Sequence, residues 1–193
     1  GALLFVEGQL PRGVFVICAG RVKLSTCSKD GKALITRLAE PGEILGLSAA
    51  ILGIPYESTA ETLDPCQINF IRREDFLRLI SDHSAACLKA AEHLSSHYHH
   101  AHEQARSLGL AHSAAAKLAK LILEWGTHQG TETDRGIRIK LTLTHEEIAQ
   151  VIGTSRETVT RLFGEFKSRQ ILYLKGSTLI IHNRAALEAM AGS

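Results

Sequence analysis

Short apolar segments separated by glycine-marked turns run through residues 2–80 of the chain. The apolar segments are Leu3–Val6, Val14–Cys18, Val22–Leu24, Ala33–Leu38 and Cys66–Ile71. The turns are marked by Gly8, Gly13, Gly20, Asp30-Gly31 and Pro41-Gly42. Strands this short and this regularly interrupted are typical of an antiparallel sandwich or barrel. The pattern predicts that the first half of the chain is all-β.

A helical period replaces this pattern beyond Arg73, and neither proline nor glycine occurs from Ser81 to Leu108. Small and apolar residues then recur at alternating spacings of three and four, which is the seam of a two-stranded coiled coil. The seam positions are Ala91, Leu94, Tyr98, Ala101, Ala105 and Leu108. We therefore expect a dimerisation helix over residues 81–109 that pairs with its twin in a homodimer. The alternative is a helix that packs on its own β domain.

Residues 110–193 follow a hinge at Gly109 and begin with a second amphipathic helix at about Ser113–Trp125. The polar segment His128–Arg135 is predicted to be a loop, and Ile137–Leu141 is predicted to be a short strand. Counts of charged residues separate the two halves of the chain. Residues 1–109 hold 11 basic and 12 acidic residues, a net charge of −1, whereas residues 110–193 hold 11 and 8, a net charge of +3. The positive excess lies where a nucleic-acid surface is expected.

Two capped helices joined by a glycine turn are predicted next. Thr144 and Glu147 have the spacing of a capping box, and Leu143 and Ile148 have that of a hydrophobic staple. This helix ends at Gly153, and Ser155 caps the following one. The arrangement is a helix-turn-helix, a fold that places its second helix in the major groove of DNA.

The second of these helices has one apolar and one polar face. Its apolar stripe consists of Val159, Leu162, Phe163 and Phe166, and its opposite face of Glu157, Thr160, Arg161 and Gly164, with Arg156 beside them. Arginine can bind guanine through two hydrogen bonds, and glutamate can accept one from cytosine. This face therefore suits base reading. The alternative is a solvated face with an i,i+4 ion pair between Glu157 and Arg161.

The strands Ile171–Leu174 and Thr178–Ile181 flank Lys175-Gly176-Ser177 and form a wing that offers Lys175 to a phosphate. Together, residues 143–172, LTHEEIAQVIGTSRETVTRLFGEFKSRQIL, resemble the DNA-binding domain of the bacterial CRP/FNR regulators, which include the cyclic-AMP receptor protein. The resemblance extends to the β-roll turns at Gly8, Gly20, Asp30-Gly31 and Pro41-Gly42-Glu43. Family members carry further residues before the first strand, so we expect a leader in the complete protein.

This resemblance implies an α+β protein. Its parts would be an N-terminal double-stranded β-helix (jelly-roll) sensor domain at residues 1–80, a long dimerisation helix at 81–109 and a C-terminal winged helix-turn-helix at 110–193. It further implies a cytoplasmic bacterial transcription regulator that binds double-stranded DNA, and RNA polymerase if it is an activator, and that does not bind membranes. Arg156, Glu157 and Arg161 would read bases in TGTGA half-sites rather than the TTGAT of the oxygen-sensing branch. Phosphates would be held by Thr144, Ser155, Thr158, Lys167 and Lys175.

The cyclic-nucleotide cassette that the family carries is altered in this chain. Members that bind cyclic nucleotide use a glutamate and an Arg-Ser pair, where a gap-free alignment places Leu47 and Glu57-Ser58 here. No Lys or Arg occurs from Leu38 to Ile71, and a cyclic phosphate would meet carboxylates instead. The pocket candidates are Gly46, Leu47, Glu57, Ser58 and Thr59. We expect an effector other than cyclic AMP; the cofactor stays open, and a cyclic-nucleotide site of another kind is the alternative.

Histidines and cysteines give weaker signals. His93, His97 and His100 share one helical face and are weak candidates for a metal site, but no carboxylate or cysteine completes a ligand set and the sequence favours solvated surface histidines. The four cysteines show no metal spacing, and we expect them to be reduced and mostly buried. A cupin-like metal enzyme would need histidines on the roll, but the first histidine is His83, beyond it. An enzymatic function is therefore not expected.

Overall fold

The computed structural model describes residues 1–109 and 113–192, without the side chains of residues 103–105 and 107–109. The chain divides into two compact units, residues 1–104 and residues 105–193. Each unit has its own sheets and its own buried residues. No helix among the described residues is both long and apolar enough to cross a membrane.

Two antiparallel sheets form the body of the first unit, as the turn pattern predicts. One sheet has the strand order β1 (Leu3–Phe5), β6 (Thr59–Thr62), β3 (Val22–Cys27) and β4 (Ala33–Ala39). The other has the order β5 (Ile44–Leu45), β2 (Gly13–Ala19) and β7 (Gln67–Arg72). The tight turn between β2 and β3 needs Gly20, whose φ is 81° and whose missing Cβ would lie 2.6 Å from the Cys66 sulfur.

The expectation that the first half is all-β is wrong at one place. Residues Leu47–Leu52 form a short helix, α1, bounded by Gly46 and Gly53, which both have left-handed backbone conformations. The buried positions Leu47, Ala49 and Ala50 lie on the inner face of this helix. The expectation that the cysteines are mostly buried is also wrong, because Cys18, Cys27 and Cys87 are exposed and Cys66 is half-buried, although all four are free.

A stacked aromatic pair fills the space between the sheets of the first unit. The rings of Phe5 and Tyr56 lie 4.0 Å apart, and the Tyr56 hydroxyl donates a hydrogen bond of 2.9 Å to the Gly13 carbonyl. A second cluster, which contains Val14, Leu47, Phe76 and Ala90, joins the β5-β2-β7 sheet to the helices. These helices are α2 (Arg73–Asp82) and α3 (Ser84–Gly109). The helix expected from residue 81 is thus interrupted at His83, whose backbone is extended.

Beyond α3, the described residues of the second unit form a four-stranded antiparallel sheet and four helices. In chain order its elements are α4 (Ala114–Gln129), β8 (Thr131–Thr133), β9 (Gly136–Lys140), α5 (His145–Ile152), α6 (Arg156–Ser168), β10 (Leu172–Lys175), β11 (Thr178–Ile181) and α7 (Arg184–Ala191). The sheet order is β10-β11-β9-β8. The segment His128–Arg135 is not only a loop, since it holds the end of α4 and all of β8. The predicted apolar stripe of α6 is buried at all four positions, Val159, Leu162, Phe163 and Phe166.

Candidate nucleic-acid interface

The first helix of the helix-turn-helix, α5, begins with the predicted capping box. The Glu147 amide donates to Thr144 Oγ1 at 3.2 Å, and the Thr144 amide donates to the Glu147 carboxylate at 2.9 Å. Leu143 and Ile148, the staple residues, are both buried. The exchange satisfies two amides that a helix start leaves unpaired, so it fixes where α5 begins.

A tight turn of three residues joins α5 to α6. Gly153 has a left-handed φ of 67°, and its amide donates to the Ala149 carbonyl, which ends α5. Ser155 then caps α6, with its hydroxyl accepting from the Thr158 amide at 3.3 Å. The short turn and the two caps set the direction in which α6 presents its polar face.

The polar face of α6 is exposed along the predicted base-reading positions. Arg156, Glu157 and Arg161 all lie on the surface of the second unit. Arg161 forms an ion pair with Glu165 at 3.7 Å. The alternative pair between Glu157 and Arg161, which the sequence suggested, is therefore wrong. Both members of the observed pair are well exposed, and an exposed pair of this kind is readily exchanged for a phosphate or a base.

Glu157 is held as a carboxylate at the start of α6. Its own amide and the Ser155 hydroxyl donate hydrogen bonds to the carboxylate, and the Arg156 charge lies close by, so the pKa of Glu157 is lower than usual. A carboxylate offers only acceptors. Glu157 therefore suits recognition of a donor group such as the amino group of cytosine, once it leaves its intrahelical partners.

The hydroxyl groups expected to bind phosphate already serve as caps. Thr144 donates to the Glu147 carboxylate at 3.0 Å, and the hydroxyl oxygens of Ser155 and Thr158 lie 3.1 Å apart. Because the Ser155 proton goes to Glu157 and the Thr158 proton can go to Ser155, a hydroxyl proton becomes available to a phosphate only when Glu157 leaves Ser155. Thr144 has no spare proton in this arrangement.

The two lysines expected to bind phosphate lie on α6 and on the wing. Lys167 Nζ lies 6.0 Å from the centre of the Tyr173 ring, and Lys175 is exposed at the end of β10. Lys175 is followed by Gly176, which lies at the tip of the hairpin with a φ of 56°. Both cations can move without breaking an ion pair that the structure describes.

One contact in this region was not predicted from the sequence. His145, the first residue of α5, stacks on Phe163 and has Nδ1 at 3.0 Å from the Thr160 hydroxyl of α6. The residues are 15 or more positions apart, so no local pattern reveals the contact. The only signal was the placement of a histidine directly after the N-cap.

The five effector-pocket candidates do not share one environment in the first unit. Gly46 and Leu47 begin α1, and the Leu47 side chain lies in the apolar cluster with Phe76 rather than at an open site. Glu57 is exposed, Ser58 is half-buried, and the Thr59 hydroxyl on β6 accepts from the Glu7 amide at 3.0 Å.

Cations from outside the cassette neutralise three of its carboxylates. The pairs are Arg21–Asp64 at 2.8 Å, Lys23–Glu61 at 3.3 Å and Arg37–Glu43 at 3.0 Å. Each cation comes from the β2–β3 turn, β3 or β4. The absence of Lys and Arg from Leu38 to Ile71 therefore does not leave these carboxylates unpaired, and the repulsion expected for a phosphate is weaker than the sequence indicated.

The pair between Arg37 and Glu43 also contacts a histidine of α3. His97 Nε2 lies 3.6 Å from the Glu43 carboxylate, which is an ion-pair distance but too long for a hydrogen bond. Burial opposes the charge of Glu43, but the His97 ring, the Glu40 amide and the Arg37 guanidinium outweigh it, so the pKa of Glu43 is below its usual value. Burial lowers the pKa of Arg37.

The histidine candidates for a metal site do not converge. His97 faces Glu43, the His93 ring lies 6.3 Å from the His97 ring, and His100 is exposed. Among the residues whose side chains are described, no three histidine, cysteine or acidic side chains are grouped as metal ligands.

The predicted dimer seam lies only partly on the free surface of α3. Ala91, Tyr98 and Ala101 are exposed, but Leu94 is half-buried and packs against the cluster of Val14 and Phe76. The side chains of the remaining two seam positions, Ala105 and Leu108, lie outside the described residues. Leu88 precedes Ala91 and Tyr98 on the same exposed stripe, with 61% of its surface accessible.

Family models match both ends of the chain. Residues 1–83 match the model of a cyclic nucleotide-binding domain, and residues 116–190 match that of a Crp-like helix-turn-helix domain. The "CRP-like cAMP-activated global transcriptional regulator" of Mycobacterium tuberculosis is 25% identical over 99% of this chain and 85% of its own length. The "Fumarate and nitrate reduction regulatory protein" of Vibrio cholerae is 27% identical over 100% of this chain and 76% of its own.

Solved structures have the same fold over nearly the whole chain. FixK2 from Bradyrhizobium japonicum superposes with a TM-score of 0.84 at 19% identity, covering 98% of this chain and 92% of its own. A CRP-family transcriptional regulator from Thermus thermophilus also gives a TM-score of 0.84, at 21% identity, covering 100% and 94%. At these identities the likeness concerns the fold alone.

Proposed function

Because this chain belongs to the CRP/FNR family of DNA-binding transcription regulators, we propose that it acts as a homodimer on an inverted repeat of TGTGA-like half-sites. We further propose that an effector other than cyclic AMP controls it. Binding to DNA accounts for the exposed polar face of α6. The half-site, the dimer and the effector are the parts that need experiments.

The exposed face at the start of α6 is the observation that carries the proposed half-site. Arg156 and Arg161 would each bind a guanine, and Glu157 would accept from a cytosine of the complementary strand. The phosphate contacts would come from Ser155, Thr158, Lys167 and Lys175, with Thr144 contributing through the position of its helix rather than its hydroxyl. The phosphate contacts fix the register of the protein on the DNA without reading the base sequence.

Selection from a random duplex pool tests the half-site. The dimeric full-length protein should recover inverted repeats of TGTGA, with half-site centres about one helical turn apart. Arg156→Ala should lose preference at one base pair of each half-site. Arg78→Ala removes the same charge from an exposed position on α2 and should leave the consensus unchanged. Recovery of TTGAT repeats, or of no consensus, would contradict the assignment of Arg156.

The homodimer is supported by the apolar surface that α3 exposes to solvent. Leu88 and Tyr98 have 61% and 75% of their surfaces exposed, and Ala91 lies between them at helical spacing. Pairing of two such helices buries this stripe and presents two copies of α6 to an inverted repeat. As an activator, the dimer would also contact RNA polymerase; we expect it to act in the cytoplasm and away from membranes.

Control by cyclic nucleotide is the second candidate for the effector. It is favoured by the cyclic nucleotide-binding model over residues 1–83 and by the name of the Mycobacterium tuberculosis relative, which is cAMP-activated. Against it, the cassette itself supplies no cation, and the cations near it are engaged by its own carboxylates. A cyclic phosphate would have to displace one of these carboxylates.

A further inference from the structure

The His145 ring is fixed between the two helices of the helix-turn-helix. It stacks on the buried Phe163 ring with the centres 5.0 Å apart and the planes at 19°. Its Nδ1 lies 3.0 Å from the Thr160 hydroxyl. Because Thr160 and Phe163 are neighbours on α6, the two contacts determine both the position and the rotation of the imidazole.

The hydrogen bonds of Thr160 determine which nitrogen of His145 carries the proton. The Thr160 hydroxyl donates to the Arg156 carbonyl at 3.0 Å, and a hydroxyl has only one proton. Towards His145 it therefore acts as the acceptor, and Nδ1 is the donor. Neutral His145 is accordingly the Nδ1–H tautomer, with a lone pair on Nε2.

The second nitrogen of His145, Nε2, is not buried. Nε2 has no hydrogen-bond or ion-pair partner among the described residues, and it is not among the buried unpaired polar atoms. Thr160, which is hydrogen-bonded to the ring, is exposed on the same face of α6 as Arg156 and Arg161. The His145 ring therefore borders the face that is proposed to read bases.

We propose that His145 contacts a DNA phosphate through Nε2 and that its second proton strengthens DNA binding. This inference rests on the proposed function, since it needs DNA at the exposed face of α6. Neutral His145 turns a lone pair towards the phosphate. Protonated His145 offers an N–H donor and a positive charge, while Nδ1 keeps its bond to Thr160.

No charged side chain of the described residues forms a hydrogen bond or an ion pair with the His145 ring. The charged or titratable residues of α5 and α6 are Glu146, Glu147, Arg156, Glu157, Arg161, Glu165 and Lys167, and those of the packed helix α4 are Lys117, Lys120, Glu124 and His128. Glu147 caps α5, Glu157 is held by Ser155, and Arg161 pairs with Glu165. None of these eleven residues is bonded to the imidazole within the described part of the chain. The imidazolium therefore has no ion-pair partner among the described residues, and a phosphate can take that place.

Measurement of DNA affinity between pH 5.5 and 8 tests the proposal. Histidine side chains change charge in this range. The full-length protein should bind a 30-base-pair TGTGA duplex about tenfold more tightly per subunit at the acidic end. The salt dependence should also steepen by about 0.9 per subunit, the value of one phosphate contact. A duplex of random sequence at low salt should show the same pH effect, because a phosphate contact does not read sequence.

Two substitutions separate the titration from the packing. His145→Asn keeps an amide donor for Thr160 without a titratable group, and it should flatten the pH dependence. His145→Arg should bind tightly at every pH. His128→Asn alters an exposed histidine on α4 and should retain the wild-type profile.

The outcomes distinguish this contact from the DNA-binding function itself. A His145→Asn protein that binds more weakly but keeps the wild-type pH and salt dependence would reduce His145 to a packing residue and overturn the proposal. A pH effect on the random duplex without TGTGA preference would support the contact while contradicting the half-site. Absence of binding to either duplex at every pH would contradict both.

Discussion

Replacement of Tyr98 by alanine should raise the dissociation constant of the dimer by roughly thirty- to a thousand-fold. Complete burial of a large apolar side chain contributes about 1.5–3 kcal/mol. Tyr98 has 75% of its surface exposed in the single chain. Burial of that surface on pairing can therefore contribute about three quarters of this free energy. Two copies per dimer give about 2–4 kcal/mol, and each 1.4 kcal/mol corresponds to about a tenfold change.

Sedimentation over nanomolar to micromolar concentrations measures this constant directly. Tyr98 makes few contacts within its own subunit, so the truncation should leave the secondary structure of the monomer unchanged. Tyr173→Ala makes the same truncation on β10 of the second unit and should leave the dimer intact. Leu94 is a poorer choice, because it packs into the core of its own subunit and its loss would also weaken the fold. An unchanged constant for Tyr98→Ala would refute the proposed seam.

Four further predictions concern the bases, the phosphates, the acid stability and the effector. Arg156→Ala should cost about 1–3 kcal/mol in discrimination at one base pair, measured by competition between duplexes with Arg78→Ala as control. Lys175→Ala should weaken binding to all sequences alike and reduce the salt slope by about 0.9 per subunit, measured by salt titration. Because the pKa of Glu43 is lower in the folded protein than in the unfolded chain, its ion pairs stabilise the fold above about pH 4.3, and this contribution is lost as the pH falls through the folded pKa. Urea unfolding should therefore show Glu43→Gln less stable than wild type at pH 7, with a difference that shrinks in acid. Calorimetry with cyclic AMP and cyclic GMP should detect no useful binding, and a micromolar constant, about −8 kcal/mol, would contradict the proposed effector class.

The helix-turn-helix could be predicted closely because its signals are local. The capping box joins Thr144 to a residue three positions on, and Gly153 and Ser155 act on their own helix ends. Such contacts are present in the sequence as spacings. The hydrophobic stripe of α6 follows from helical geometry in the same way.

Elements that depend on distant partners were missed. Strand β5 has two residues and exists because Leu45 and Ile44 pair with Phe15 and Val16 of β2. Strand β8 likewise needs β9, and its polar residues resemble a loop. Helix α1 is too short to show a period, so its apolar run could equally have been a strand.

The same distinction applies to the site residues. The exposure of Arg156, Glu157 and Arg161 could be predicted from helical spacing alone. The engagement of the hydroxyls of Ser155 and Thr158 with each other could not, because it depends on side-chain rotamers. The contact of His145 with Thr160 depends on how α5 and α6 pack, which no spacing within one helix encodes.

The ion pairs around the altered cassette would restrict the chemistry of the proposed effector. An anionic ligand that takes Arg37 as its partner leaves Glu43 with His97 and the Glu40 amide, and removal of one member of a fully buried pair costs about 3–5 kcal/mol. The cost here is a fraction of that, because 20% and 26% of the two side chains are exposed. The ligand must still recover it, or Glu43 must take up a proton. An uncharged ligand leaves Arg37–Glu43 and the other pairs intact, so it binds the first unit without this cost. The arrangement of charges therefore favours an uncharged effector over a phosphate.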